Sequence, residues 1–596
     1  MATPVADARA SKAMSLPEWL GKRCWIECTM CIMVDVALPM LARILLCLLT
    51  LAAGPSFASE ALVLHNANIY TGAADKPRAE AVLAIDGRIA YVGTSAEALQ
   101  RAPPDARTVN LGGLTVLPGL TDSHAHLAGI GWRELNFDLT GVESLVALQQ
   151  RLRDRAAQDR ISPWIEGRGW IESRWTPAEF PTRQDLDAAI GSRPVILERI
   201  DGHAIVVNSL ALKIAGITST TPNPPGGEIL KDPATSEPTG MLIDRAKALV
   251  EDLVPPPTEQ QIEIALETGA KRSVRVGWTQ LHYAGTTYQE IALLCRLYAE
   301  GKNSLRLYAA IGGPGPDAER LLASGRGTGS CDDRLTVRGI KLYMDGALGS
   351  RGAALLAPYS DTPEARGLLV NEADEVLRIA KAALRSGIQL QTHAIGDRGN
   401  RLVLDLYEQA FASVPPSERA VAEPRFRIEH AQVLAPEDIP RFARLGVIAS
   451  MQTSHAISDM FFAPSRLGPG RVKGAYAWRS LLDAGAVIAG GSDAPVEQGD
   501  PIIEFYAAVV RRAQDGYAGA DWGLDQRMTR AEAFRILTIA PAYAAFQENE
   551  RGTIEQGKLA DFTVLSTDIM QVPEAEILET RVVYTIIGGE IVYSGE

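Results

Sequence analysis

The sequence predicts an α/β protein, a (β/α)8 TIM-like barrel with a small β-sandwich built from both chain ends. Through the middle of the 596 residues, a unit of amphipathic helix, glycine and short apolar strand recurs. Helices that alternate with strands at this spacing are typical of a parallel sheet. The two ends of the chain instead alternate apolar and polar residues around tight turns, as antiparallel strands do.

The beginning of the chain carries the pattern of an export signal. A basic flank at residues 40–43 precedes an apolar stretch at residues 44–53, and a small-x-small pattern ends at Ala58. The apolar stretch is too short for a stable membrane span, which needs about 20 residues. We therefore expect a signal peptide at about residues 40–58, within an N-terminal extension of residues 1–58, and an exported, periplasmic or extracellular protein. An uncleaved interfacial anchor is the alternative.

Antiparallel strands are predicted at both ends of the remaining chain. Asp86-Gly87 forms a hairpin turn between two apolar strands, and Gly588-Gly589 does the same near the C-terminus. Two β-rich ends around a different middle indicate a single sandwich. We expect it to combine residues 59–117 with residues 546–596.

Residues 118–545 carry the repeated unit and are expected to form the barrel. Thr258 and Gln261 form a capping box that begins one helix, and Gly387 ends another. Eight strand ends are expected near the following residues: His126, His203, His282, Lys341, His393, His430, Met451 and Asp493. The interval between the first two ends is too long for one unit, so we expect an insertion at about residues 132–255. In such barrels the active site lies at the carboxyl ends of the strands.

The charge of the chain indicates which kinds of molecule it binds. The chain has 59 basic and 72 acidic residues, a net charge of −13, and no basic run. It is therefore not expected to bind nucleic acid, and a small-molecule substrate is the expected partner. Beyond the N-terminal extension only Cys295 and Cys331 remain, and we interpret each as a buried free thiol. Composition leaves the oligomeric state open.

Histidines give the main functional signal. Of the 8 histidines, all but His65 fall in the expected barrel, at or near strand ends. His124 and His126 are two residues apart on a strand, so their side chains point the same way. Two adjacent imidazoles suit zinc, iron or nickel. The alternative is a pair of polar strand-end histidines without a metal.

Further residues with useful chemistry stand at later strands. His393 and His430 each end an apolar strand, and Asp493 follows a run of small residues. Lys341 lies inside a strand, where a buried ammonium is costly without a partner. A snorkelling side chain or an ion pair with Asp345 would satisfy it. The other hypothesis is that CO₂ carbamylates Lys341, which would make it an anionic oxygen ligand for two cations.

Short motifs at these positions resemble a known family. The motifs are Pro118-Gly-Leu-Thr-Asp-Ser-His124-Ala-His126, Asp201-Gly-His203-Ala, Asn208-Ser209, Lys341-Leu-Tyr-Met-Asp-Gly346, His393-Ala-Ile-Gly-Asp397, Glu429-His430-Ala-Gln432 and Gly491-Ser-Asp-Ala-Pro495. Together they resemble the amidohydrolase superfamily of metal-dependent hydrolases, in its YtcJ-like (amidohydrolase 3) branch. The resemblance covers about residues 60–596.

The resemblance implies a metal site and a set of roles. The implied ligands of one or two divalent cations, with zinc as the first choice, are His124, His126, Lys341, His393, His430 and Asp493. Asp493 is expected to move a proton from water to the leaving nitrogen, and a metal together with His203 to polarise the scissile carbonyl. A structural role for His203 is the alternative. Weaker candidates for substrate contact are Trp170, His282, Tyr343 and His455.

The predicted activity is hydrolysis of a carbon–nitrogen bond, amide-type and not a peptide bond, by metal-activated water. N-acyl or N-formyl compounds are the suggested substrates. Deamination, ester hydrolysis or isomerisation at the same metal site are alternatives, as is a metal- or ligand-binding barrel without turnover. Deaminases of the superfamily that the chain resembles tend to carry a glutamate beside strand 5, and the segment from His393 to Asp397 has none. No Gly-x-Ser-x-Gly motif supports a serine hydrolase.

Overall fold

The computed structural model describes residues 61–595 except for residues 173–174, 200–201, 203, 225–226, 326, 328–330, 332 and 520–521. The predicted signal peptide at residues 40–58 therefore lies outside the described residues. Within the described part of the chain, no helix is both long enough and apolar enough to cross a membrane.

Eight parallel strands form the central sheet, so the predicted (β/α)8 barrel is confirmed. In chain order, barrel strands 1 to 8 are Leu120–Ala125, Trp278–Thr286, Arg306–Gly312, Leu335–Tyr343, Gln389–Ala394, Arg427–His430, Ile448–Gln452 and Ile488–Gly491. Barrel strand 8 meets barrel strand 1 through Asp122, whose carboxylate accepts hydrogen bonds from Ser492 N at 2.9 Å and Ser492 Oγ at 2.5 Å. A Cβ on Gly491 would lie 2.6 Å from His124 N, so this close approach requires glycine.

One of the expected strand ends is wrong, and another has a different place in the order of the barrel strands. His203 lies outside the described residues, and the strand that follows it, Ala204–Val207, belongs to a different sheet. His282 lies on barrel strand 2 and not on a third strand. The true third strand, Arg306–Gly312, ends in glycine and carries no metal-binding side chain at its end. A search for strand ends marked by such residues therefore cannot find it.

Helices surround the barrel, and their ends follow the predicted signals. Glu259–Arg275 begins with a reciprocal capping box between Thr258 and Gln261. Ala373–Ser386 ends at Gly387, which has a φ of 73°. The other helices associated with the barrel are Leu127–Leu135, Tyr288–Ala299, Pro316–Ser324, Asp397–Ser413, Ile439–Leu445, Thr453–Ser458, Ala463–Arg471, Trp478–Asp483, Pro501–Val510, Arg530–Leu537 and Ile539–Ala544.

The chain segment that connects barrel strands 1 and 2 forms a separate six-stranded sheet. Its strands are Phe137–Asp138, Ile165–Trp170, Val195–Arg199, Ala204–Val207, Gly227–Lys231 and Pro238–Asp244. The helices in the same stretch are Leu145–Gln158, Arg183–Ala189, Ser209–Ile214 and Ala248–Glu251. This sheet has its own apolar core around Trp170 and Leu197.

The two chain ends meet in paired sheets, as predicted. A four-stranded sheet consists of Ala61–His65, Ala81–Ile85, Arg88–Gly93 and Arg107–Asn110, and Ser95–Arg101 is a helix beside it. A six-stranded sheet consists of Asn68–Tyr70, Arg78–Ala79, Thr115–Pro118, Phe562–Leu565, Val582–Ile587 and Glu590–Ser594. Leu62, Val82, Phe562 and Ile586 share one core, so both ends contribute to it.

Cys295 and Cys331 form a disulfide bond, with their Cα atoms 5.1 Å apart. The interpretation as two free thiols is therefore wrong. Cys295 lies on helix Tyr288–Ala299, and Cys331 comes shortly before barrel strand 4. The two cysteines are 36 residues apart in sequence, and it is the packing of neighbouring βα units that brings them together.

Candidate metal centre

The carboxyl ends of the barrel strands gather the predicted polar residues at one edge. His124 lies in barrel strand 1, His126 directly follows it, and Asp493 comes two residues after barrel strand 8. Lys341, His393 and His430 end or nearly end barrel strands 4, 5 and 6. The side chain of His126 is 31% exposed, whereas that of His124 is 1% exposed, so the cluster opens toward solvent on one side.

His124, His126 and Asp493 form a first compact group of ligand atoms. Asp493 Oδ1 lies 3.0 Å from His126 Nε2 and 3.5 Å from His124 Nε2. The other ring nitrogens are held by the protein, since His126 Nδ1 bonds Ala284 O at 2.9 Å and His124 Nδ1 bonds Glu429 at 2.5 Å. Both Nε2 atoms therefore face the carboxylate, which is the arrangement that a shared cation requires.

His430, His455 and Asp493 form a second group that shares the same carboxylate. Asp493 Oδ2 lies 3.7 Å from His455 Nε2, and the ligand atoms of this group all lie within 4.8 Å of one another. His430 Nδ1 bonds Gln452 Oε1 at 2.8 Å, so its Nε2 is left for a ligand. His455, predicted as a substrate contact, thus also offers a metal-ligating atom.

His393 and Lys341 lie beside these two groups. The His393 ring centroid is 4.5 Å from that of His430, and Lys341 Nζ is 3.2 Å from His124 Nε2. Lys341 is fully buried. Tyr343 completes this side, with its ring 5.6 Å from that of His393 and its side chain partly exposed.

Asp345 does not serve as the partner of Lys341. Its carboxylate accepts backbone hydrogen bonds from Ala354, Ile395 and Gly396 at 2.8–2.9 Å. Among the described residues, no carboxylate pairs with Lys341 within 4.0 Å. The ion-pair alternative is therefore not supported, and Asp345 instead orders the loops after barrel strands 4 and 5.

The donor set fits a divalent cation. The Nε2 atoms of His393 and His455 are buried and have no hydrogen-bond partner among the described residues. Buried polar atoms normally have a partner, because leaving them without one costs about 1–3 kcal/mol. Imidazole nitrogens around a shared carboxylate are ligands that zinc and neighbouring transition metals prefer. A cation at this cluster would supply what the ring nitrogens lack.

Burial and local charge hold His124, His393 and Asp493 in the forms that bind a metal. Burial, together with the Lys341 ammonium, lowers the pKa of His124 to about 4 and that of His393 to about 3, so both rings are neutral. Burial by itself would raise the pKa of Asp493. The contact with His126 Nε2 at 3.0 Å outweighs this and holds the pKa of Asp493 well below its usual value.

Two of these residues have strained backbones. His430 has a φ of 73° and Asp493 a φ of 58°, in the left-handed region that non-glycine residues seldom adopt. Such conformations cost on the order of 1–3 kcal/mol each and gather at functional sites. The hydrogen bond from Asp493 N to His124 O, at 2.7 Å, is one contact that holds the carboxylate in place.

A buried network that the sequence analysis did not predict supports His124. Glu429 bonds His124 Nδ1 and pairs with Arg427, whose Nε lies 2.7 Å from Glu429 Oε1. Arg427 also bonds His282 Nδ1 at 2.8 Å, which places His282 in this network rather than at a substrate surface. The signal was the alternation Arg427-Ile-Glu429, because residues i and i+2 of a strand share a face.

The structure does not place two of the predicted site residues, Trp170 and His203, at the metal centre. Trp170 is fully buried in the core of the inserted sheet, where its indole nitrogen donates to Leu197 O at 2.9 Å. The structure therefore places Trp170 in that core and gives no support for a substrate contact. His203 is outside the described residues, so its role stays a prediction.

Comparison with known proteins agrees with this geometry. Residues 107–593 match the model of the amidohydrolase family. The chain is 34% identical to the YtcJ protein of Bacillus subtilis over 89% of this chain and 99% of that one. It is 30% identical to an N-substituted formamide deformylase of Arthrobacter pascens, over 89% of this chain and 98% of that one.

A solved structure shares the fold. A metal-dependent hydrolase from Pyrococcus furiosus superposes with a TM-score of 0.70 at 27% identity, over 86% of this chain and all of that one. The family match, the relatives and the clustered donors agree on a metal-dependent hydrolase. The chain therefore belongs to the amidohydrolase family, in its YtcJ-like branch.

Proposed function

We propose that this protein hydrolyses amide-type C–N bonds of small molecules, other than peptide bonds, and that N-formyl and N-acyl compounds are its substrates. The observation that carries the proposal is the Asp493 carboxylate, which faces His124, His126 and His455 at 3.0–3.7 Å. The deformylase of Arthrobacter pascens, 30% identical over nearly its whole length, supports the substrate class. In the reaction, water adds to the carbonyl carbon, the C–N bond breaks, and a carboxylic acid and an amine are released.

The residues divide the work of this reaction. A divalent metal, with zinc as our proposal, lowers the pKa of a water molecule toward 7 and polarises a carbonyl oxygen when bound. Asp493 is held as a carboxylate, so it can accept the proton of that water and pass it to the leaving nitrogen. His203 is proposed to donate a hydrogen bond to the carbonyl oxygen as charge develops there.

We also propose that Lys341 becomes a carbamate. Its neutral amine attacks the carbon of CO₂ to form an N–C bond, and one amine proton leaves to solvent, giving an anionic carboxylate on nitrogen. Lys341 is fully buried and 3.2 Å from His124 Nε2, where an ammonium has no carboxylate partner among the described residues. Burial lowers the pKa of Lys341 to about 8, so part of it is the reactive amine near neutral pH.

We propose that the protein is exported, because residues 40–58 have the pattern of a signal peptide. The disulfide between Cys295 and Cys331 supports this proposal. Disulfides persist in the periplasm and outside the cell and are rare in the cytosol.

The test begins with residues 59–596 expressed and loaded with zinc. Metal content is measured by elemental analysis, the mass of the intact chain reports a carbamate, and amine release is assayed on a panel of N-formyl and N-acyl amines. We expect bound metal and amine release that disappears on chelation and returns with zinc. The chelated protein is the control. Absence of bound metal after reconstitution, or turnover of esters alone, would contradict the proposal.

A further inference from the structure

An exposed apolar patch is formed by three segments, which follow barrel strand 7, barrel strand 8 and helix Pro501–Val510. It consists of Phe461, Val496 and Tyr517. The rings of Phe461 and Tyr517 stack, with centroids 5.3 Å apart and planes 13° from parallel. Phe461 is nevertheless 64% exposed and Tyr517 50% exposed, so the stacked pair presents a large apolar surface to solvent.

Phe461 and Val496 each follow a residue of the metal centre closely in the chain. His455 lies on helix Thr453–Ser458, and the single helical turn that ends at Phe461 follows that helix directly. Val496 N donates to Asp493 O at 2.9 Å, so Val496 sits one tight turn beyond the shared carboxylate.

The two loops are also joined to each other. Ser458 Oγ donates to Glu497 Oε1 at 2.5 Å, which links the loop that carries Phe461 to the loop that carries Val496. Trp522 Nε1 donates to Ala456 O, which fixes the segment after Tyr517 against the helix of His455. Phe461 and Val496 therefore belong to the two linked loops that carry His455 and Asp493, and Tyr517 joins them through its ring contact with Phe461.

We propose that this patch binds an apolar, preferably aromatic, substituent on the leaving nitrogen of the substrate. The inference rests on the proposed function, in which Asp493 delivers a proton to that nitrogen. A group attached to this nitrogen must lie close to Asp493, and the loops that carry Asp493 and His455 expose apolar surface at Val496 and Phe461. Aromatic groups favour offset-stacked or edge-to-face contact with such rings.

Binding without turnover separates this proposal from the proposed function. The probes are N-hydroxy-N-phenylformamide and N-hydroxy-N-methylformamide, which bear the same metal-chelating group and differ in the substituent on nitrogen. Their Kd values for the zinc-loaded protein are measured by calorimetry. We expect the phenyl compound to bind about tenfold more tightly, an advantage that Phe461→Ser reduces to about twofold or less. Val146→Ser is the matched control, because Val146 is 71% exposed on the inserted helix Leu145–Gln158.

The outcomes are distinct. An unchanged phenyl-to-methyl ratio in Phe461→Ser, with metal content and melting temperature intact, would overturn the assignment, as would no preference in the wild type. The same ratio accompanied by loss of a dimer in light scattering would assign the patch to a second copy of the chain. If the preference is present and lost as expected but no amide is hydrolysed, the patch binds the apolar group of a metal-bound ligand, and it is the proposed function that fails.

Discussion

Asp493 is the residue on which both candidate cation groups depend. Its two carboxylate oxygens face different histidines, Oδ1 toward His124 and His126 and Oδ2 toward His455. The strained backbone at Asp493, with a φ of 58°, is retained although an ordinary conformation would be more stable. We interpret this as the cost of placing one carboxylate between two sets of imidazoles.

The first prediction concerns the proton that Asp493 moves. Asp493→Asn keeps the size of the side chain and an oxygen ligand but removes the base, so we expect kcat to fall by about 10²–10⁴-fold. The measurement is steady-state turnover of an N-formyl amine, with metal content determined in parallel. A variant that keeps its metal and full kcat would show that another group accepts the proton. A non-catalytic barrel would show no turnover in either protein.

The second prediction concerns Glu429, which fixes the orientation and tautomer of the His124 ring. Glu429→Gln keeps a hydrogen-bond acceptor but removes the negative charge, and partners of this kind are worth about 10–100-fold in metal affinity. We expect zinc to bind more weakly by that factor in competition with a chelating dye. Glu423→Gln is the control, since the Glu423 side chain is 70% exposed. Equal zinc affinity in the two variants would mean that Glu429 serves only to neutralise Arg427.

At the scale of elements, the inserted sheet is an independently packed unit with Trp170 at its centre. Trp170→Ala removes a fully buried side chain, and such changes cost about 3–5 kcal/mol of unfolding free energy. The third prediction is that Trp170→Ala unfolds at a lower denaturant concentration than the wild type, while the metal content and kcat/KM of the folded protein are unchanged. A large loss of kcat/KM in a fully folded sample would instead restore Trp170 as a substrate contact.

The elements also show what the sequence pattern can and cannot reveal. Periodicity and glycine stops located helices such as Glu259–Arg275, because capping and apolar faces are local properties. Barrel strand 3, Arg306–Gly312, was not predicted because no residue with a metal-binding or catalytic side chain lies at its end. His455 was not recognised as a ligand candidate because it lies in a helix after a strand, where only the folded loop aims its Nε2 at Asp493.

The remaining features could not be predicted because they depend on contacts between residues that only the folded chain brings together. The disulfide of Cys295 and Cys331 depends on two adjacent βα units, and the Glu429–Arg427 network depends on which side chains turn into the barrel. The predicted ligands near the strand ends were brought to one edge because parallel strands share their carboxyl ends. Topology alone thus placed His124 and Asp493 together, although they are far apart in sequence.

At the scale of the whole molecule, the candidate centre joins distant parts of the barrel. His124 and His430 come from barrel strands 1 and 6, His455 from the helix after barrel strand 7, and Asp493 from the turn after barrel strand 8. A cation bound among them therefore adds cross-links to the pairing of barrel strands 6 to 8 and to the two hydrogen bonds from Ser492 to Asp122 that join barrel strand 8 to barrel strand 1. Metal binding and stability of the barrel should consequently be coupled.

The last prediction follows from this coupling. A ligand that binds only the folded state stabilises it by about 2.7 kcal/mol when its free concentration is 100 times its Kd. We expect added zinc to raise the melting temperature of the chelated protein, and the rise to continue as free zinc increases above its Kd. His126→Ala should abolish this rise, because it removes a ligand that is partly exposed and contributes little to packing. His65→Ala, in the sandwich, should keep the rise in full. A rise that survives in His126→Ala would place the stabilising cation elsewhere, and no rise in the wild type would separate metal binding from the integrity of the barrel.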